Sequence, residues 1–404
     1  MALILLGSEH LDGVRDPSGD NAMRRQNSLM HGLLQLVPWT VFERLVAAHR
    51  ADVGVRRLTT KSQLVALLYA QLAGAASLRE IETAFVSHQS LLYHLGTRPV
   101  ARSTLADANA RRPAVVFTGL LAVLMAQAHR CLRRELGEVV RLIDSTSIRL
   151  TGLHCEWARF SADFCGAKAH VVLDPDAMQP LYLSVTPARV NDIAAAKAMP
   201  IEAGATCVFD LGYYDYGWWA GLDAAGCRIV TRLKTYTPLR QAEDRPLAEG
   251  GDILCDRTGL LPERLAASRK NPMQARVREI RLQTTGGKVL RLLTNDLDAP
   301  AEEIAALYKR RWGIELFFRW IRQALKIKHP FGVSENAARI QIAVALIAFV
   351  LLRLAHRATA AVGGLLAFSR LIRANLMHRR QLDRLLHPVP IVPPDLRQLQ
   401  IELA

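Results

Sequence analysis

The sequence has no Cys-x-x-Cys pair, and its six cysteines (131, 155, 165, 207, 227 and 255) stand at no zinc-like spacing. That pattern excludes a zinc module and a disulfide-stapled secreted domain, and it reads as reduced thiols in a cytosolic protein. His154 and Cys155 with His170 lack the spacing of a metal site and read as unrelated polar and core residues. No apolar run reaches the ~20 residues of a membrane span. The longest, "IAVALIAFVLL" at 342–352, is cut by Arg353 and reads as a buried core helix. "MALILLG" at the start has no basic segment and no cleavage-like site, so it makes a poor signal peptide. There is no internal repeat. Acids are outnumbered, with 37 Asp+Glu against 52 Lys+Arg and a formal net charge of +15. Such a balance favours a polyanionic partner, nucleic acid or an anionic membrane surface.

What is present suits a globular protein of two or three domains: 404 residues, half of them hydrophobic. Residues 1–22 differ from the rest and read as a disordered or spurious N-terminal tail, with a natural opening at Met23. Residues 23–135 read as a helical N-terminal DNA-binding domain. Thr59 and Thr60 are helix-cap candidates, and "SLRE" at 77–80 is a capping box. Arg56, Arg57, Lys61, Arg102, Arg111 and Arg112 stud this region; they read equally as a DNA-binding surface or as an ordinary solvated face.

At about residue 138 the periodicity changes. "EVVRLIDSTSIRL", "KAHVVLD" and "PLYLSVTP" read as three consecutive strands. A short helix at 192–200, a strand "TCVFD" at 206–210, a helix closing at Gly226 and a strand at 227–234 follow. The order β-β-β-α-β-α-β implies a meander and then parallel strands. Residues 136–332 read as one catalytic domain with a β-rich insertion at about 235–297, whose hairpin turns at Thr-Gly-Gly. A helix starting at Asp298 or Pro300 runs to about Ile327. Residues 333–404 hold a second long helix capped by Ser334 and a Pro-rich tail.

Three carboxylates carry the chemistry. Asp144 interrupts an apolar strand and Asp210 ends one; neither is a usual place for a casual acid. Glu315 lies on the later helix among Lys309, Arg310, Arg311 and Arg319. A helical wheel puts Tyr308, Arg311, Glu315 and Arg322 on one stripe. Leu307, Ile314, Phe317, Phe318, Ile321 and Leu325 flank it on one side, and Trp312, Leu316 and Trp320 on the other. This predicts a helix buried on two sides, with Glu315 pinched between them. Alone, Glu315 would be an i,i+4 partner of Arg311. With two acids at strand ends, all three can converge at the sheet's carboxyl edge. Three carboxylates suit Mg²⁺, with Mn²⁺ as substitute, and two such ions would support phosphodiester displacement. Arg311, Arg322 and Lys326 would then hold backbone phosphates, and Tyr308 would hydrogen-bond another phosphate oxygen.

These residues resemble a DDE transposase of the insertion-sequence-four family. Its Tyr-x2-Arg-x3-Glu-x6-Lys signature is matched by Tyr308, Arg311 and Glu315, with Arg322 in place of the lysine. "LIDSTSI" and "VFDLGYYDY" are similar to its two aspartate blocks, with Leu211 where arginine is common. The resemblance spans about residues 25–360. It implies a ribonuclease H-like catalytic core with a β-rich insertion, preceded by an all-α N-terminal domain, an α/β fold overall. It also implies Asp144, Asp210 and Glu315 as catalytic metal ligands. The activity implied is cutting at the terminal inverted repeats of an insertion sequence and joining the 3′-hydroxyl ends to target DNA. A homodimer would pair two ends, acting in the cytoplasm at the nucleoid and not at a membrane. In some members an aromatic of the β insertion stacks on a flipped base; residues 237–307 here contain no Phe, Trp or Tyr. A silent DNA-binding regulator or domesticated remnant, and a nuclease that cuts without joining, are the alternatives.

Overall fold

A computed structural model describes residues 28–132, 138–150, 165–247, 251–266, 269–284, 286–325, 331–332, 334–359 and 364–379. The expectations for residues 1–22, for Cys155 and for the Pro-rich tail lie outside the described residues.

The chain opens with helices: α1 (Leu29–Leu34), α2 (Trp39–Ala48), α3 (Thr60–Ala73), α4 (Leu78–Ser87), α5 (Gln89–Leu92), α6 (Arg102–Arg111) and α7 (Ala114–Leu132). Local caps start them. The Thr59 hydroxyl accepts from the Ser62 N–H at 3.2 Å, and the Ser77 hydroxyl from the Glu80 N–H at 3.2 Å. The Glu80 carboxylate returns to the Ala76 N–H at 2.9 Å, one residue short of the expected reciprocal bond. Helix α3 is buried almost throughout and forms the centre of this group.

Strands β1 (Val140–Leu150), β2 (Cys165–Asp174) and β3 (Gln179–Pro187) form the expected antiparallel meander. Next come α8 (Asp192–Ala196), β4 (Thr206–Phe209), α9 (Tyr216–Ala224) and β5 (Arg228–Arg232). β4 runs parallel to both β1 and β5. The later strands are β6 (Arg240–Asp244), β7 (Ile253–Leu260), β8 (Arg264–Ala266), β9 (Arg269–Lys270), β10 (Val277–Gln283) and β11 (Val289–Thr294). Four of these continue the same sheet, because β11 pairs antiparallel with β5. The result is nine strands in the order β3-β2-β1-β4-β5-β11-β10-β7-β6, with β8 and β9 paired apart. The β-rich segment therefore extends the sheet rather than standing beside it.

Apolar side chains on the two sheet faces separate by alternation. Leu142, Val208 and Val230 join the larger core; Ile143, Phe209 and Ile229 join a second core under α9. In that second core Trp218 and Trp219 pack on Phe209, so they serve packing.

The helix expected from about 298 to Ile327 is two helices, α10 (Ala301–Arg310) and α11 (Trp312–Leu325). Arg311 joins them through tighter bonds: its N–H donates to the Tyr308 carbonyl and its carbonyl accepts from Ile314. Helix α12 (Glu335–Ala358), capped by Ser334, packs against α7, α3, α6 and α11, and α13 (Leu365–Asn375) follows. Two segments, 114–131 and 335–358, are long and apolar enough to cross a membrane by length and composition. In the second, 83% of the apolar window is buried inside the protein, as a core helix requires.

Candidate active site

The last residues pairing β1 with β4 are Ile143 and Phe209. Asp144 and Asp210 are therefore the first residues beyond that parallel pairing, side by side where it ends, although β1 itself runs on to Leu150 paired with β2. Each aspartate is held by the next backbone N–H: Asp144 Oδ1 accepts from Ser145 at 2.8 Å and Asp210 Oδ1 from Leu211 at 2.7 Å. Helix α11 packs on β1 at Gly313, where even an added Cβ would be accommodated in ordinary contact. A Cβ on Gly313 would lie 3.5 Å from Leu142 Cδ1 and 3.7 Å from Met178 Sδ.

Arg311, at the joint, ties the acids together. Its Nη1 lies 3.1 Å from Asp144 Oδ2 and 3.3 Å from Glu315 Oε1, and its Nη2 lies 3.8 Å from Asp210 Oδ2. Three elements thus each present one carboxylate to a single guanidinium. That guanidinium parts the acids: among the described residues, no three His, Cys, Asp or Glu side chains are gathered as a ready metal cluster. The donor set is nonetheless all carboxylate oxygen, and the three acids outnumber the two guanidiniums beside them, Arg311 and Arg232. It fits a hard divalent ion. Burial pushes the Asp144 carboxyl up to about 6; the Ser145 N–H and Arg311 oppose that, while Glu315 and Asp210 reinforce it.

Of the other expected residues, Tyr308 is buried, and burial pushes its hydroxyl up to about 12. Its ring lies 5.7 Å from the Arg311 guanidinium carbon. Tyr308, Arg311 and Trp312 line a cleft of about 590 Å³ against Ile253, Leu282 and Leu290. Arg322 belongs to α11; its side chain, and Lys326 altogether, lie outside the described residues. Burial on two sides of the helix is not observed. Ile314, Phe317, Phe318 and Ile321 are buried, but Trp312 is 56% and Leu316 43% exposed. Glu315 borders open surface on that side, because among the described residues nothing packs over Trp312 and Leu316.

Sequence reading missed two neighbours. Arg232 Nη1 stands 3.6 Å from Asp210 Oδ1. Alternation along β5 puts it on the face of Val230, which is the signal that could have found it. On the opposite face, Asp192 accepts from Ser145 Oγ at 2.8 Å and from Lys168 Nζ at 3.1 Å. His170, wholly buried, bonds Thr186 Oγ1 at 2.8 Å and lies 3.6 Å from Asp192, in fold support.

Residues 135–351 match the family described as "Transposase DDE domain", and residues 25–98 match a "Domain of unknown function (DUF4372)". The chain is similar to a Sinorhizobium fredii protein named as the transposase y4zB: 41% identical over 302 residues, 74% of this chain and 82% of that one. It is similar to the transposase InsG for insertion sequence element IS4 of Escherichia coli, 27% identical over 159 residues, 37% of this chain and 35% of that one. It is also similar to the piggyBac transposase in a cryo-EM structure of its synaptic complex with hairpin DNA. There the TM-score is 0.46 and identity 11%, over 94% of this chain and 85% of that chain.

Proposed function

The chain belongs to the DDE-domain transposases, of the insertion-sequence-four kind, and from that premise we propose that Asp144, Asp210 and Glu315 are its catalytic carboxylates. It is a DNA transposase, an enzyme whose family depends on divalent metal. The observation that carries the residue assignment is the single guanidinium of Arg311 within reach of all three acids.

Asp144, Asp210 and Glu315 would hold Mg²⁺ or Mn²⁺, as two ions. Bound there, the metal supplies an activated hydroxyl and charge stabilisation for phosphodiester displacement. The chain's own residues do the rest. Arg311 keeps the three carboxylates from repelling one another. The Ser145 and Leu211 N–H groups fix the two aspartates. Arg232 and Arg322 lend positive charge for backbone phosphates, and Arg322 offers a planar fork where the family resemblance has lysine. Tyr308, neutral at working pH, packs Arg311 in place and borders the cleft.

The substrate is double-stranded DNA, cut at the element's terminal inverted repeats and joined to target DNA through its 3′-hydroxyl ends. Residues 23–135 form a helical DNA-binding domain, 136–332 a ribonuclease H-like catalytic domain with its β insertion at about 235–297, and 333–404 C-terminal helices and a tail. A homodimer pairs two ends, and the protein works in the cytoplasm. The strand order β3-β2-β1-β4-β5, with β1, β4 and β5 parallel, supports the ribonuclease H-like reading. The test is joining of a labelled, pre-cleaved duplex end to target DNA in Mn²⁺. Joined product is expected, and none from an end with a 3′-deoxy terminus. Cutting without joining would turn the reading to a nuclease; binding alone would turn it to a regulator.

A further inference from the structure

The N-terminal helices hold a surface that the catalytic site does not use. Helices α3 and α4 meet at 99° across four residues, Gly74 to Ser77, with Gly74 in the left-handed region at φ +78°. Two helices near a right angle joined by a short glycine turn have the geometry of a helix-turn-helix. Helix α6 completes a three-helix unit. Its N-terminus is pinned to α4, where the Arg102 N–H donates to Glu82 Oε1 at 3.1 Å.

The inner side of α6 is fixed by side-chain amides, those of Gln63 and Asn109 buried and that of Asn336 partly so. Gln63 of α3 donates to Asn109 Oδ1 at 2.7 Å, and Asn336 of α12 donates to the carbonyls of Asn109 and Arg112 at 3.0 and 2.6 Å. The outer side carries Arg102, Ser103, Thr104, Asp107 and Arg111, all exposed, and no apolar side chain larger than alanine. The exposed side of α4 carries Arg79, Glu80, Thr83 and Ser87 and also the 58% exposed Val86, an apolar side chain of a size that the outer side of α6 lacks.

Charge says what this surface meets. Residues 50–112 hold nine Lys and Arg against four Asp and Glu. Three of those acids already serve the fold: Asp52 accepts from the Thr60 N–H, Glu80 from the Ala76 N–H and Glu82 from the Arg102 N–H. Arg56, Arg57, Arg79, Arg98, Arg102 and Arg111 are exposed and have no ion-pair partner among the described residues. The arginines around the sheet differ: Arg141, Arg228, Arg257, Arg278, Arg291 and Arg311 are all paired with acids. Unpaired arginines on a rigid small unit suit a polyanion, and short hydroxyl and guanidinium groups on one helix suit base edges. A helix with its side chains is about as wide as the major groove.

We infer that α6 reads the major groove of duplex DNA, with Arg102, Ser103 and Thr104 at base edges and Arg57, Arg79 and Arg98 on the flanking phosphates. The inference rests on the reading that the chain acts on duplex DNA; Arg57, Arg79 and Arg98 fall within the matched segment 25–98, and the reading helix follows directly after it. It is tested with the full chain by selection from a random duplex library, followed by binding to the selected and a scrambled duplex. The wild type enriches one motif, and N7-methylation of guanines in it interferes. The double variant Arg102→Ala with Thr104→Ala keeps its melting temperature, loses about tenfold or more on the selected duplex, and changes little on the scrambled one. Arg57→Ala weakens both alike. A wild type that enriches no motif, or a double variant with the wild-type ratio of affinities, overturns the inference. Binding needs no catalysis, so this result is decided separately from strand joining.

Discussion

Replacing Asp144 by Asn should stabilise the metal-free protein while abolishing its chemistry. Burial lifts the Asp144 carboxyl from 3.8 to about 6. A raised carboxyl binds its proton more tightly in the folded chain than in the unfolded one. Its contribution therefore favours folding below the ordinary value and is lost as pH rises through about 6. Above that, the ionised group costs about 3 kcal/mol, since each pH unit is about 1.4 kcal/mol. That cost is already net of the attraction to Arg311, 3.1 Å away, so replacement by Asn is expected to gain up to about 3 kcal/mol at pH 8. Thermal unfolding in a chelator should show the variant higher by a few degrees at pH 8, with about half the difference at pH 5. Adding Mn²⁺ should raise the wild type and leave the variant in place. An Asn variant that melts below the wild type at pH 8, and still rises with Mn²⁺, would refute the placement of Asp144 as a strained ion-binding carboxylate.

Arg311→Ala should lose activity and melt lower, more so at pH 8 than at pH 5, because three acids then face one another unpaired; a pH-independent loss would count against it. Glu279 is fully buried and receives Arg257, Arg281 and Arg291, and despite its burial those arginines hold its carboxyl down at about 2. Glu279→Gln should cost about 3–5 kcal/mol in urea unfolding near neutral pH. The Glu279 contribution is present above pH 4.5 and is lost as pH falls towards 2, so the two proteins should converge in acid. Phe317→Ala should cost about 3–5 kcal/mol, whereas the exposed Trp312→Ala should cost under about 1, as melting curves can check.

Much of the fold is legible because strands and caps write local signals. The alternation in "EVVRLIDSTSIRL" and the strand end at Asp210 mark both strands, whose parallel pairing ends just before the two aspartates, and Thr59, Ser77 and Ser334 all cap helices. The i,i+4 contact of Arg311 with Glu315 is also local. That the same guanidinium meets Asp144, 167 positions earlier, depends on the packing of α11 on β1, and no spacing rule reports it. The wheel held for the Arg311–Glu315 stripe but not for the cover on its far side, because it reports which residues share a face and not whether another element packs over Trp312 and Leu316. The sheet extension through β11 was hidden because strand neighbours distant in sequence follow from pairing rather than composition.

The most direct test of the carboxylate triad is strand joining by Glu315→Gln. Glu315 is partly exposed and contributes little packing, so the variant should fold and bind DNA as the wild type does. With a pre-cleaved 3′-hydroxyl end in Mn²⁺, joining should fall by on the order of a thousandfold or more, about 4 kcal/mol of barrier. Joining at the wild-type rate by a folded Glu315→Gln protein would contradict the account.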